Sequence, residues 1–123
     1  MTFETSSDEY KGRDFIISNF YEGIARFHFK DLCDVNVGAE DYLEIAKNCR
    51  FIFIENIPKF SNDNSNQQNR LVTLIVILYE KKIPLLISTY FSLDNIGSAN
   101  NLKETFKRTL SRLYELTSPD III

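Results

Sequence analysis

The residue types that could do chemistry are few in this sequence, and they are scattered. Cys33 and Cys49 stand in a C-x15-C spacing, with no second pair and a single His in 123 residues. A structural zinc site normally takes four protein ligands, so a metal centre fails on count. A disulfide needs an oxidising compartment, and Met1 to Asp8 is polar and acidic, unlike a signal or transit peptide. Two small buried thiols remain, in a chain expected to be cytoplasmic. His28 lies between Phe27 and Phe29, and the two-residue period of a strand turns it away from the face the two rings share. That puts it on the surface or at an edge, with no nucleophile assigned to it.

Phosphate chemistry is the next candidate. The four glycines are Gly12, Gly23, Gly38 and Gly97, and none opens a G-x-x-x-x-G-K-[ST] loop. Phe51-Ile52-Phe53-Ile54-Glu55 faintly matches a Walker B strand, as any buried strand ending in an acid does. Without a phosphate loop, Glu55 has no magnesium–nucleotide complex to organise. There is no G-x-S-x-G and no H-E-x-x-H. From the residues alone the chain is an α/β domain without a self-contained active site.

The elements that would position such groups follow from periodicity. Residues 1–11 show none and read as a loose leader. Runs 14–19 and 24–29 are β-prone and flank Tyr21-Glu22-Gly23, which predicts an N-terminal hairpin. Residues 39–49 carry the stripe Tyr42, Leu43, Ile45, Ala46, with Gly38 before it and Glu40 and Asp41 in the first turn, as a helix start prefers. Residues 51–57 read as a buried strand closed by Pro58. The polar run 61–69 leads into a helix over 68–82 with Leu71, Leu74, Ile75 and Leu78 on one face, closed by Lys81-Lys82. Residues 85–88 give a second buried strand, so 51–88 is expected to be a parallel βαβ unit. After a loop over 90–101, Asn101 can cap a final helix of about 102–117, with Leu102, Phe106, Leu110 and Leu113 inward. Pro119 ends it and leaves an apolar tail, 119–123.

Composition bounds the classes. At 123 residues the chain suits one domain, and 44% hydrophobic content is compatible with a core. Fourteen basic against 17 acidic residues give a net charge of −3, which argues against a nucleic-acid binder held by bulk charge. No apolar run approaches the roughly 18 residues of a membrane span.

Five ordered blocks change the picture. They are Gly12-Arg13; Gly23-Ile24-Ala25-Arg26-Phe27 running into Phe29-Lys30-Asp31-Leu32-Cys33; Gly38-Ala39-Glu40-Asp41-Tyr42-Leu43-Glu44-Ile45-Ala46 followed by Phe51 to Pro58; Asn69-Arg70 through Leu78-Tyr79-Glu80; and Phe106-Lys107-Arg108-Thr109-Leu110-Ser111-Arg112-Leu113-Tyr114-Glu115-Leu116. Over residues 12–118 this resembles the C-terminal part of the ZapE-type AAA ATPases, the bacterial cell-division ATPases and their mitochondrial relatives, the ATPase-family-gene-one or lactation-elevated proteins. The chain departs from the family pattern at Val76, where the family has an acid, and at Asn69, where it has the first of two arginines.

The resemblance implies a partial AAA-type α/β domain lacking the phosphate loop and Walker B acids. It implies a truncated or split fragment of an enzyme that binds and hydrolyses ATP in cell division or protein quality control. Alone it would hold no cofactor; with a nucleotide-binding half, ATP and magnesium. Arg108 and Arg112, four apart on one helix face, become candidate phosphate-sensing arginines, and Arg70 a weaker cofactor contact. The plainer roles are ion pairs to local carboxylates such as Glu104 and Glu115, or capping of backbone carbonyls, for the first two, and a solvated first-turn residue for Arg70. The partner would be an N-terminal ATPase half or further copies. A non-catalytic protein-interaction module and an inert gene remnant stand beside this reading.

Overall fold

The computed structural model describes residues 6–10, 13–17, 20–33 and 37–117. The apolar tail 119–123 lies outside them. The described elements are strands β1 (Ser6–Tyr10), β2 (Arg13–Ile17), β3 (Phe20–Tyr21) and β4 (Ile24–His28), helices α1 (Phe29–Cys33) and α2 (Ala39–Asn48), strand β5 (Phe51–Ile57), helix α3 (Ser65–Glu80), strand β6 (Leu85–Thr89) and helix α4 (Lys103–Leu116). Strands β4, β5 and β6 are neighbours in chain order and run parallel, with β3 antiparallel on the β4 edge. The expected parallel βαβ unit is therefore present, and β4 with α1 and α2 adds a second crossover before it.

The hairpin forms with a different first strand. Glu22 (φ 49°) and Gly23 (φ 85°) both have positive φ, the two-residue turn whose twist suits a hairpin. Such a tight loop forces the residues just before it, Phe20–Tyr21, to pair with β4, so run 14–19 is not the partner. Arg13–Ile17 instead pairs antiparallel with Ser6–Tyr10. The leader reading of 1–11 is corrected there: pairing of backbone groups makes a strand without any side-chain period. Arg50 secures the hairpin turn, its Nε donating to the Glu22 carbonyl at 2.9 Å and its N–H to the Gly23 carbonyl at 2.7 Å.

Run 24–29 stops at His28, because Phe29 already begins α1. Gly38 precedes α2 in extended conformation, and Asp41 reaches back to accept its N–H at 3.0 Å. Leu43 is exposed rather than in the buried stripe. Helix α3 starts earlier than periodicity suggests, because polar Ser65–Gln67 continues out of a short 3-10 turn capped by Ser61. It ends on Lys82 at φ 56°, with Lys82 N–H bonded to the Tyr79 carbonyl and Ile83 N–H to that of Leu78. This is the left-handed helix stop that glycine usually fills. Asn101 does not cap α4; it lies in a 3-10 turn, Asn100–Leu102, that leads into the helix. Asn100 N–H is bound instead by the Asn62 side chain at 2.8 Å.

All the other helices touch α3, so they form one layer. It buries Ala25, Phe27, Ile52, Ile54 and Leu85 on one face of the sheet. Phe60 joins the layer's ends, with ring centroids 5.8 Å from Phe29 and 5.4 Å from Phe106. Gln68 is fully buried: its Nε2 donates to Ser98 Oγ at 2.7 Å, and its Oε1 accepts the Ala99 N–H at 2.8 Å. One side chain thereby fastens the loop between β6 and α4 to α3.

Candidate functional site

The predicted arginines fall in two places. Arg70, in the first half of α3, donates from Nη1 to the Cys33 carbonyl at 2.9 Å. It ties down the end of α1 and is not the solvated residue its position suggested. Arg112, half-buried on α4, stacks its guanidinium 5.4 Å from the centroid of Tyr79 on α3. The Glu115 carboxyl beside it, chiefly as a hydrogen-bond acceptor, holds the Tyr79 phenol above the usual range. Arg108, one turn earlier, is exposed and carries no ion pair among the described residues. Neither arginine takes the expected acid, since Glu104 pairs with Lys107 and Glu115 with Tyr79.

Helix α3 starts beyond the carboxyl end of β5 and finishes before β6, so Tyr79 and Arg112 lie toward the amino ends of the strands. An apolar recess of about 390 Å³ opens beside them, lined by Tyr79, Lys82, Pro84, Glu115 and Leu116. Open parallel sheets usually hold ligands at the opposite edge, outside the carboxyl ends of the strands.

That carboxyl edge holds a cluster that sequence reasoning did not assemble. Arg26 on β4 grips Glu55 on β5 with two bonds, Nε to Oε1 at 2.8 Å and Nη2 to Oε2 at 2.7 Å. The hydrogen bond and charge of Arg26 hold the Glu55 carboxyl below its ordinary value. Glu55 is thus committed to a neighbour and not poised as a magnesium ligand. His28 Nδ1 accepts the Lys30 N–H at 3.1 Å. His28 Nε2 lies 2.9 Å from the Asn56 amide nitrogen, Nδ2. Asn56 adopts φ 60°, and its N–H donates to Ser88 Oγ at 2.9 Å. The Arg26–Glu55, His28–Asn56 and Asn56–Ser88 pairs join residues about 30 positions apart, and only the strand register brings them together. The signal available was the β4–β5 pairing, with His28 opposite Glu55.

Cys33 and Cys49 are both buried and not joined in a disulfide. No group of three or more His, Cys, Asp or Glu among the described residues is placed to hold a metal ion. No described helix is long and apolar enough to cross a membrane.

Three parallel strands in chain order with helices on one side define an α/β unit that carries polar groups at its edges but no phosphate loop. The sequence matches the AFG1-like ATPase family model over residues 3–123, and the chain belongs to that family. It is 33% identical over 110 residues to lactation elevated protein 1 homolog B of Danio rerio, covering 89% of this chain and 22% of the relative. An uncharacterized protein of Schizosaccharomyces pombe is 30% identical over 136 residues, covering 88% of this chain and 30% of that protein. The cell division protein ZapE of Escherichia coli K12 is 26% identical over 94 residues, covering 76% and 25%. The chain spans about a quarter of the length of the curated relatives it matches. No solved structure matches it.

Proposed function

We propose that this chain is a C-terminal part of an AFG1-like ATPase, and that it turns over ATP only together with a nucleotide-binding half. The observation that carries the reading is the family match over residues 3–123 in a sequence whose four glycines form no phosphate loop. The completed assembly would bind ATP and magnesium through that half, with this chain adding cationic side chains around it. The working site is the cytoplasm, and the role of the completed assembly is cell division or protein quality control, the first supported by the similarity to a cell division protein. Arg108 is the candidate phosphate-sensing residue, with no ion pair among the described residues, and Arg112 is its positioned neighbour, steadied by Tyr79. Arg70 is the weaker contact, since its guanidinium already serves the Cys33 carbonyl.

A non-catalytic interaction module is the second reading. It is favoured by the strongly exposed Tyr90 and the exposed Phe91 just after β6. An inert remnant fits less well. Unselected substitution strands polar groups in a core, and no buried side-chain nitrogen or oxygen among the described residues lacks a partner. A nucleotide titration decides between the first two: the chain alone should show no stoichiometric magnesium-dependent ATP site, and the completed assembly should show one. A tight ATP site on the chain alone, or none in the assembly, overturns the proposal.

A further inference from the structure

The helical layer covers one face of the sheet, and among the described residues no helix covers the other. Ile24, Arg26 and His28 of β4, Phe51, Phe53 and Glu55 of β5, and Leu86 and Ser88 of β6 all point that way. One register row runs Arg26–Phe53–Leu86 across it. Ile24 is 40% exposed and Leu86 46%. Parallel sheets are almost always covered on both faces, because their strands are apolar on both. This one has the apolar residues for a second layer, and no layer covers them among the described residues.

The face is built to be covered by something uncharged. Its two central charges neutralise each other through the two-pronged Arg26–Glu55 pair, and the Arg26 guanidinium lies 5.6 Å from the Phe53 ring centroid. A layer closing over them would strand no lone charge. Its size argues against a second copy of this chain. Three five-residue strands present roughly 15 by 17 Å, about 250 Å², from ordinary strand spacing and rise. A stable complex needs about 800 Å² per partner. The cover must therefore belong to a body with further contacts elsewhere or a tether.

We propose that this face, around Arg26, Phe53 and Leu86, is the docking surface for the portion of an AFG1-like polypeptide that lies outside the quarter this chain matches. The inference rests on the proposed function and adds to it the surface through which the two parts join.

The test uses the purified chain and, as probe, the portion of the Danio rerio relative outside its matched region, produced as a separate polypeptide. Binding is measured by calorimetry for the wild type and for Leu86→Glu, Ile24→Glu and Tyr114→Glu, all exposed positions, with circular dichroism to confirm folding. The expected result is binding by the wild type, weakened at least tenfold by Leu86→Glu and Ile24→Glu, and unchanged by Tyr114→Glu on α4. Absence of binding, or binding indifferent to the two sheet-face variants, overturns the inference. Self-association relieved by Leu86→Glu also overturns it and gives the face to a second copy. ATP turnover in the same mixtures separates the two claims. Face-dependent binding without turnover keeps the surface and removes the ATPase reading. Turnover indifferent to the face variants does the reverse.

Discussion

Arg112 lies with its guanidinium 5.4 Å from the ring centroid of Tyr79, joining α4 to α3 at the amino end of the sheet. Arg108, on the same helix and one turn earlier, has no such seat. The two therefore separate by experiment. In an assembly completed with a nucleotide half, Arg108→Ala should lower turnover about a hundredfold, the usual loss for a charge-stabilising donor, with an unchanged melting temperature. Arg112→Ala should lower the melting temperature as well as turnover. Lys at 108 should restore part of the rate, since it keeps the charge without the planar fork. Full turnover in Arg108→Ala, measured per folded molecule, would remove it as the sensing residue.

Gln68→Leu should destabilise the chain by about 1–3 kcal/mol, the cost of leaving buried partners unmet. The Ala99 N–H loses its acceptor, and Ser98 loses a donor. Urea unfolding gives the change, and faster hydrogen exchange at Ala99 locates it.

Gly97 has φ 79°, and a Cβ there would stand 2.5 Å from the Phe60 carbonyl oxygen. Both features oppose Gly97→Ala, which should cost more than about 1 kcal/mol. The Phe60 N–H bond to the Ile96 carbonyl, 2.7 Å, should open with it. A variant as stable as the wild type in urea would contradict the close approach.

Lys82 tests the opposite sign. It holds a left-handed position that costs a side-chain-bearing residue about 1 kcal/mol. Lys82→Gly should therefore raise stability by up to about 1 kcal/mol, partly offset by a more flexible unfolded chain. A fall in melting temperature would mean that the Lys82 side chain contributes more than its backbone costs.

Tyr42 sets a pH dependence. It is fully buried, and its hydroxyl donates to the Leu32 carbonyl. Burial, foremost, pushes its phenol well above the ordinary value. In the unfolded chain it ionises near pH 10, roughly the ordinary value of a tyrosine. Above that pH the unfolded state releases a proton that the folded state keeps, so this group's contribution falls as pH rises. Tyr42→Phe should lose about 1–3 kcal/mol at neutral pH, from the carbonyl left without a donor. The gap to the wild type should narrow on titration past about pH 10. Paired urea curves at the two pH values measure it, and a gap that widens would reverse the assignment.

Where the residues carried a strong local signal, the structure follows it. The apolar runs read at 51–57 and 85–88 and the stripe between them are the βαβ unit, because burial on one face or both leaves an unmistakable pattern. Gly23 announced a turn. It could not announce which strand entered it, since Phe20–Tyr21 is too short to show a period. Helix α1 is a single turn and reads as the end of a strand for the same reason. The site was less legible. Arg70 and Arg112 were singled out through the family resemblance, but their partners, Cys33 and Tyr79, lie on other elements. His28 meeting Asn56 depends on parallel register, which no local pattern encodes.

The neighbour relation of β4, β5 and β6 has a consequence for how the molecule comes into being. Each strand pairs with the one synthesised just before it, about 30 residues away. No strand must wait for a segment made much later, so loop-closure costs stay modest and assembly can proceed as the chain emerges. A unit wound in this order is portable. It can be appended to another gene, separated from it, or made as a polypeptide of its own, without any strand losing its neighbour.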